Sequence, residues 1–135
     1  MGVRKRNRAE MLKEEKSQVA IAKLNNCPTS PRKMRLVADL VRGKDVGYAL
    51  QILKFNTKAP SARLEKLLLS AIANWQAKNE EADVEQAGLF IKEIKVDSGS
   101  MLKRLRPAPQ GRAHRIRKRS NHVTVILGEK NNTES

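Results

Sequence analysis

One stretch restricts this chain more than any other. From Asp97 to His122 no apolar face can be traced, yet the residues on either side alternate as strands do: Phe90, Ile94 and Val96 before it, Val123, Val125 and Leu127 after it. Unstructured loops of that length are uncommon inside a compact domain. Pro107, Pro109 and Gly111 cluster near the midpoint and mark a turn, so the flanks are expected to carry both strands outward as a hairpin over 97–122. About eleven extended residues reach about 35 Å at roughly 3.3 Å each. A domain of this size has a radius of gyration of about 14 Å. The arm must therefore project from the body.

Ordering such an arm costs about 1–2 kcal/mol of backbone entropy per residue, and its scattered Leu102, Leu105 and Ile116 return little of it. What it carries instead is charge. Lys103, Arg104, Arg106, Arg112, Arg115, Arg117, Lys118 and Arg119 are eight cations with no Asp or Glu among them from Ser98 to Ser120, in a chain of 135 residues whose formal net charge is +14. Lys and Arg displace counterions from phosphates, and the excess of Arg favours planar, multi-donor contacts. Gly99, Ala108, Gly111 and Ala113 let the backbone approach a crowded surface. The aromatic residues Tyr48, Phe55, Trp75 and Phe90 all fall on expected elements of the body, three of them at plausible core positions, and none lies in the arm. A stacking platform for single-stranded bases is thus missing, and recognition is expected through phosphates, 2′-hydroxyls and shape. Folded RNA suits this better than a sequence-specific DNA site.

The body reads as a single core. A basic extension is expected over 1–17, helical around Ala9 to Lys16, then one α+β domain over 18–128 and a flexible tail over 129–135. Val19 to Leu24 form a short apolar run that suits a strand. Ser30 and Pro31 mark a helix start, with the hydroxyl able to cap and proline at the first helical position, and Gly43 marks its stop. Met34, Val37, Ala38 and Val41 line its apolar face, and Val46, Ala49, Leu50 and Leu53 repeat the pattern after a short break. A longer helix runs from Thr57 and Pro60 to Asn79, with Leu64, Leu67, Leu68, Ala71, Ile72 and Trp75 at spacings of three and four. Glu80 to Gly88 reads as an acidic loop.

Catalysis is disfavoured by inventory. His114 and His122 have no Cys or carboxylate at a metal-ligand spacing, no glycine-rich phosphate loop occurs, and the lone Cys27 reads as a small buried residue. No catalytic residue, metal or cofactor is expected. No apolar run approaches the roughly 20 residues of a membrane span, and 1–17 lacks the apolar stretch of a signal peptide, so a cytosolic protein without membrane insertion is expected.

The segment Ser30-Pro-Arg-Lys-Met-Arg-Leu-Val-Ala-Asp-Leu-Val-Arg-Gly-Lys44 closely resembles the L-twenty-two family of large-subunit ribosomal proteins, bacterial type. So do Leu69 to Asn74, Ser100 to Pro107 and Gly111 to Val125, in the same order and spacing from about Val19 to Leu127. The resemblance implies three helices on a small three-stranded antiparallel sheet, with a long β-hairpin driven through ribosomal RNA. It implies a cytoplasmic protein within the ribosome that binds large-subunit rRNA, helps its assembly and lines the nascent-peptide exit tunnel, opposite an L-four-family protein. Carried over by position, the eight arm cations and Arg32, Lys33, Arg35, Arg42 and Lys44 on the body would meet rRNA. Pro107, Ala108, Pro109, Gln110 and Gly111 would form the tip beside the nascent peptide. Three departures stand out: many members carry basic residues within the tip, where this chain has Ala108, Pro109 and Gln110; Met1 to Ser17 is longer than the usual start; and Cys27 occupies a turn position where a small polar residue is expected. The alternative reading is a free nucleic-acid-binding regulator that uses Arg32 to Leu53 as a helix-turn-helix-like pair. A second rival, a protein meeting acidic lipid or acidic partners, would need an apolar face beside the charges.

Overall fold

The structure is a computed structural model and describes residues 2–130. In chain order it contains helix α1 (Val3–Gln18), strand β1 (Ile21–Cys27), helices α2 (Pro31–Val41), α3 (Val46–Phe55) and α4 (Ala59–Lys78), a one-turn helix α5 (Val84–Ala87), strand β2 (Leu89–Pro107), a 3₁₀ turn (Pro109–Gly111) and strand β3 (Ala113–Glu129). The three strands form one antiparallel sheet in the order β1-β3-β2. Helices α2, α3 and α4 pack on one another and on the sheet. The expected α+β class, with helices on a three-stranded sheet and a long hairpin, therefore holds; α1 contains the helix expected around Ala9 to Lys16 and extends it, and α5 is an addition.

The core is continuous. Met34, Val37, Ala38 and Val41 of α2, Leu53 of α3 and Leu64, Leu68 and Ala71 of α4 meet Ile91, Ile94, Val123 and Val125 from the sheet. Proline at the first turn presets α2, while Ser30 contributes its backbone carbonyl, accepting from Met34 N–H at 3.1 Å, and no side-chain cap bond. The helix stops at Gly43, whose φ of 72° a side chain would resist. There the chain turns onto the sheet: Gly43 N–H donates to the Ile91 carbonyl and Ile91 N–H to the Lys44 carbonyl.

Three expectations change. Only Trp75 of the four aromatic residues is fully buried; Tyr48 and Phe55 are 56% and 79% exposed, because α3 turns Val46, Ala49 and Leu53 inward and these two outward. Phe90 is half-buried, because a register shift between Ile91 and Glu93 changes which residues face the helices: Leu89 and Ile91 before it, Ile94 and Val96 after it. Its ring lies over Gly128, its cross-strand partner, where a Cβ would sit 3.0 Å from the ring. Finally, the acidic loop contains α5, and β3 continues to Glu129, whose carboxylate accepts from Trp75 Nε1 at 2.7 Å. Residues 131–135 of the expected tail lie outside the described residues.

Among the described residues, no buried one falls between Val96 and Asn121. The body should therefore fold without the arm. Since Ser98 pairs with Asn121, replacing 99–120 by an Asn-Gly turn preserves the register that a two-residue hairpin needs. The shortened chain should unfold in one cooperative thermal transition; loss of that transition would reveal core contacts hidden in the arm.

Candidate nucleic-acid interface

The arm is the continuation of β2 and β3 beyond the sheet. β1 accompanies β3 only from Ile126 back to Asn121, after which β2 and β3 run on alone through seven registered pairs, from Met101–Arg119 to Pro107–Ala113. Cross-strand partners share a face. One face thus carries Lys103, Arg115, Arg117 and Arg119, and the other carries Arg104, Arg106 and Lys118. Arg112 stands beyond them at the turn, where Gln110 and Gly111 take left-handed φ values of 66° and 72°. All eight cations are exposed. A hairpin lying on one surface would gather its cations on one side; this one presents them on both, as a probe surrounded by anions does.

The register also explains the scattered apolar residues. Met101 lies opposite Arg119, Leu102 opposite Lys118, Arg104 opposite Ile116 and Leu105 opposite Arg115, so each apolar side chain faces the aliphatic stem of a cation. Lys103 faces Arg117 directly, a like-charge pair that weakens the free hairpin. The tip residues Pro107, Pro109, Gln110 and Gly111 are exposed and Ala108 is half-buried, with Ala108 N–H donating to the Arg112 carbonyl at 2.9 Å.

Where the sheet narrows to two strands, a polar knot holds the root of the arm. Asn121 is fully buried, and its Nδ2 donates to the carbonyl and Oγ1 of Thr29 at 2.7 and 2.8 Å. Asn26, at φ 55° in an irregular stretch of β1, donates its N–H to His122 Nδ1 at 3.0 Å. On the other side β2 shifts register between Ser98 and Met101. Gly99 fits there because a Cβ would meet Ser120 Oγ at 2.6 Å and the Ser120 carbonyl carbon at 3.2 Å, while that Oγ donates to the Ser100 carbonyl. These residues aim the arm; the sequence points to Gly99 only for close approach to a crowded surface and to His122 only as a histidine outside any metal-ligand spacing, and an Asn at the junction of an alternating strand and a basic run is the available signal for the rest. Asn121→Ala should destabilise the body by about 1–3 kcal/mol, since it removes the partner of the half-buried Thr29 carbonyl and leaves a gap where the buried amide packs. Thermal unfolding of the variant measures it.

The cations expected on the body divide by use. Arg35 Nη2 donates to the Val96 carbonyl and Arg42 Nη2 to the Ile94 carbonyl, both at 3.1 Å, so these two arginines cover the outer edge of β2 while remaining exposed. Arg42 also pairs with Asp39 at 2.9 Å. Lys44 Nζ stands 5.1 Å from the centroid of the Tyr48 ring. Arg32 and Lys33 point outward from the first turn of α2. They are separate from the arm in sequence and joined to it through the sheet, where α2 packs on both β2 and β3.

At the root, a groove of about 310 Å³ is lined by Asn26, Pro28, Ser100, Leu102, Lys118, Arg119 and Ser120. Nearby, Cys27 is buried within 3.3 Å of both Thr29 Oγ1 and Arg63 Nη1. Burial alone would raise its thiol, but the hydrogen bonds from Thr29 and Arg63 and the guanidinium charge outweigh it, and the thiol lies below its ordinary value. No group of His, Cys, Asp or Glu among the described residues could hold a metal ion, and no described helix is long and apolar enough to cross a membrane. The acidic residues Glu80, Glu81, Asp83 and Glu85 surround α5, just before β2 begins. They sit at the end of β2 away from the arm, so opposite charges occupy its opposite ends.

Residues 22–128 match the family described as ribosomal protein L22p/L17e. The chain belongs to that family. It is 77% identical over its whole length, and that of the relative, to the large ribosomal subunit protein uL22 of Christiangramia forsetii. It is 71% identical to the protein of that name from Flavobacterium psychrophilum, covering 100% of this chain and 98% of the relative, and 59% identical to that of Bacteroides fragilis, covering 99% and 98%. The resemblance seen in the sequence is thereby established, and with it a structural, non-enzymatic ribosomal protein, cytoplasmic within the ribosome. The matched region takes in the arm, its root and all three packed helices, and leaves out α1.

Proposed function

We propose that this chain binds large-subunit rRNA, helps that RNA to fold during subunit assembly, and lines the nascent-peptide exit tunnel with its arm. The observation that carries this reading is the exposed two-stranded arm with cations on both faces and no acid. Phosphates on both sides of a narrow hairpin neutralise it, and dense folded RNA supplies phosphates in that arrangement. In this reading Lys103, Arg104, Arg106, Arg112, Arg115, Arg117, Lys118 and Arg119 contact rRNA along the arm, and Arg32, Lys33, Arg35, Arg42 and Lys44 do so on the body. The uncharged tip, Pro107 to Gly111, faces the nascent peptide, with an L-four-family protein across the passage. The Asn121 and Gly99 junction sets the direction in which the arm enters.

The regulator alternative has less support. A helix-turn-helix reads DNA with its second helix, and α3 carries a single cation, Lys54, in its last turn. Sedimentation of a cell extract tests the proposal: the chain should travel with large subunits and stay with them through a moderate salt wash. Release into the free-protein fractions at that salt would overturn it.

A further inference from the structure

Helix α1 is the feature that the proposed function leaves unused. It spans sixteen residues, about 24 Å at 1.5 Å per residue, buries none of them and precedes the region that defines the family. An isolated helix of this length is marginal in water. Its charge order makes it less favourable still. Arg4, Lys5, Arg6 and Arg8 crowd the first two turns, the positive end of the helix dipole, with no acidic residue in the first turn and no side-chain cap from Gly2. Arg6 is paired with Glu10 at 3.2 Å. Among the described residues, Arg4, Lys5 and Arg8 take part in no ion pair.

The helical repeat sorts these charges by side. At 3.6 residues per turn, Arg4, Lys5, Arg8 and Lys16 fall within an arc of about 120°, and Glu15 is the one acid among them. Glu10 and Glu14 lie on the opposite side with Arg6 and Lys13, where the charges balance, so the excess of cations stands on the first side. The apolar residues Val3, Met11 and Leu12 are exposed and spread around the helix, so no stripe exists for packing against a protein core. A protein partner would have to bury cations without an apolar return. A phosphate backbone instead relieves the repulsion among the cations and the conflict with the dipole together.

We infer that α1 is a second rRNA-binding element, separate from the arm, which lays its Arg4, Lys5, Arg8 and Lys16 side on the phosphate backbone of large-subunit rRNA. This rests on the rRNA-binding reading above and names a further surface for it. The helix attaches to β1 through Val19 and Ala20, at the body end of the sheet, whereas the arm leaves from the other end of β3. The two elements therefore grip RNA at two places, one on each side of the body.

The test uses the full chain and deproteinised large-subunit rRNA, with affinity measured across a salt series. R4Q/K5Q/R8Q should lower the slope of log affinity against log salt by about 2, at roughly 0.7–0.9 for each lost phosphate contact. E10Q/E14Q should leave the slope unchanged or steepen it. An unaltered slope in R4Q/K5Q/R8Q, with a reduced one in an arm variant lacking Arg115, Arg117, Lys118 and Arg119, would overturn the role of α1 alone. Unaltered slopes in both would overturn the rRNA-binding reading and this inference with it. Amide exchange gives an independent readout: α1 should become protected on adding rRNA alone. Protection only after other large-subunit proteins are added would mean a protein-docking helix and would also overturn the inference.

Discussion

Replacing Arg115, Arg117, Lys118 and Arg119 together by Gln should lower the salt slope of rRNA binding by about 3, at roughly 0.7–0.9 per phosphate contact. Across a rise from 50 to 200 mM salt, the parent should then lose about 60-fold more affinity than the variant. The prediction follows from position as well as charge. These four side chains fall on both faces of the arm, Arg115, Arg117 and Arg119 on one and Lys118 on the other, so no single flat contact could replace them. The body should be unaffected, because all four are exposed and none bonds to it through its side chain among the contacts described. Filter binding of large-subunit rRNA at stepped salt reads the slope directly. An unchanged slope would show that the arm touches RNA by shape alone, and equal loss from Lys23→Gln on the open face of the sheet would show that only net charge matters.

The arm was legible before any fold was known because its signals are local. A turn cluster at Pro107 to Gly111, alternation on both sides and an acid-free run are all read within about thirty residues, and β pairing follows from them. Helices α2, α3 and α4 were legible for the same reason, each having an apolar face at helical spacing and a Pro or Gly near a boundary. What escaped notice is non-local. Nothing around Ile91 announces the shift that turns Phe90 away from the core, because register depends on where β3 lies. Asn121 reads as one more polar residue until β1 brings Thr29 to it across ninety-two positions of sequence. Aromatic content alone does not tell core from surface: the spacing of Tyr48 and Phe55 by seven places both on the outer side of α3.

Legibility also had a limit in energetics. The family resemblance groups Arg35 and Arg42 with the RNA-facing cations, and charge is all that the sequence itself shows of them. In the fold they close the edge of β2, an arrangement that leaves part of each guanidinium available to phosphate while fixing its place. Removing either should therefore loosen α2 from the sheet as well as weaken RNA binding, and the two effects separate only if stability is measured beside affinity. Arg32 and Lys33 lack such bonds to the sheet among those described, so their substitution isolates the electrostatic part.

In the free protein, amides of the arm beyond the Ser98–Asn121 pair should exchange rapidly, and binding to rRNA should slow them by orders of magnitude, while Leu64 to Trp75 of α4 stays protected in both states. Each arm residue costs about 1–2 kcal/mol to order, whereas a ladder hydrogen bond returns only about 0.5–1.5 kcal/mol net, and a two-stranded ribbon forms about one for every two residues. No buried side chain makes up the difference, and Lys103 opposite Arg117 adds repulsion. An isolated hairpin is marginal even with a favourable sequence. Phosphates reverse the sign of the charge contribution and exclude water from the strands, so order is gained on binding rather than before it. Hydrogen exchange followed by mass spectrometry, with and without large-subunit rRNA, separates the cases by region: the root held by Asn121 and Thr29 should be protected throughout, and protection should fall toward Gln110 only in the free chain. An arm as protected alone as in complex would mean a rigid probe that docks ready-made, with its order supplied by the twist and packing of β2 on β3 rather than by the RNA.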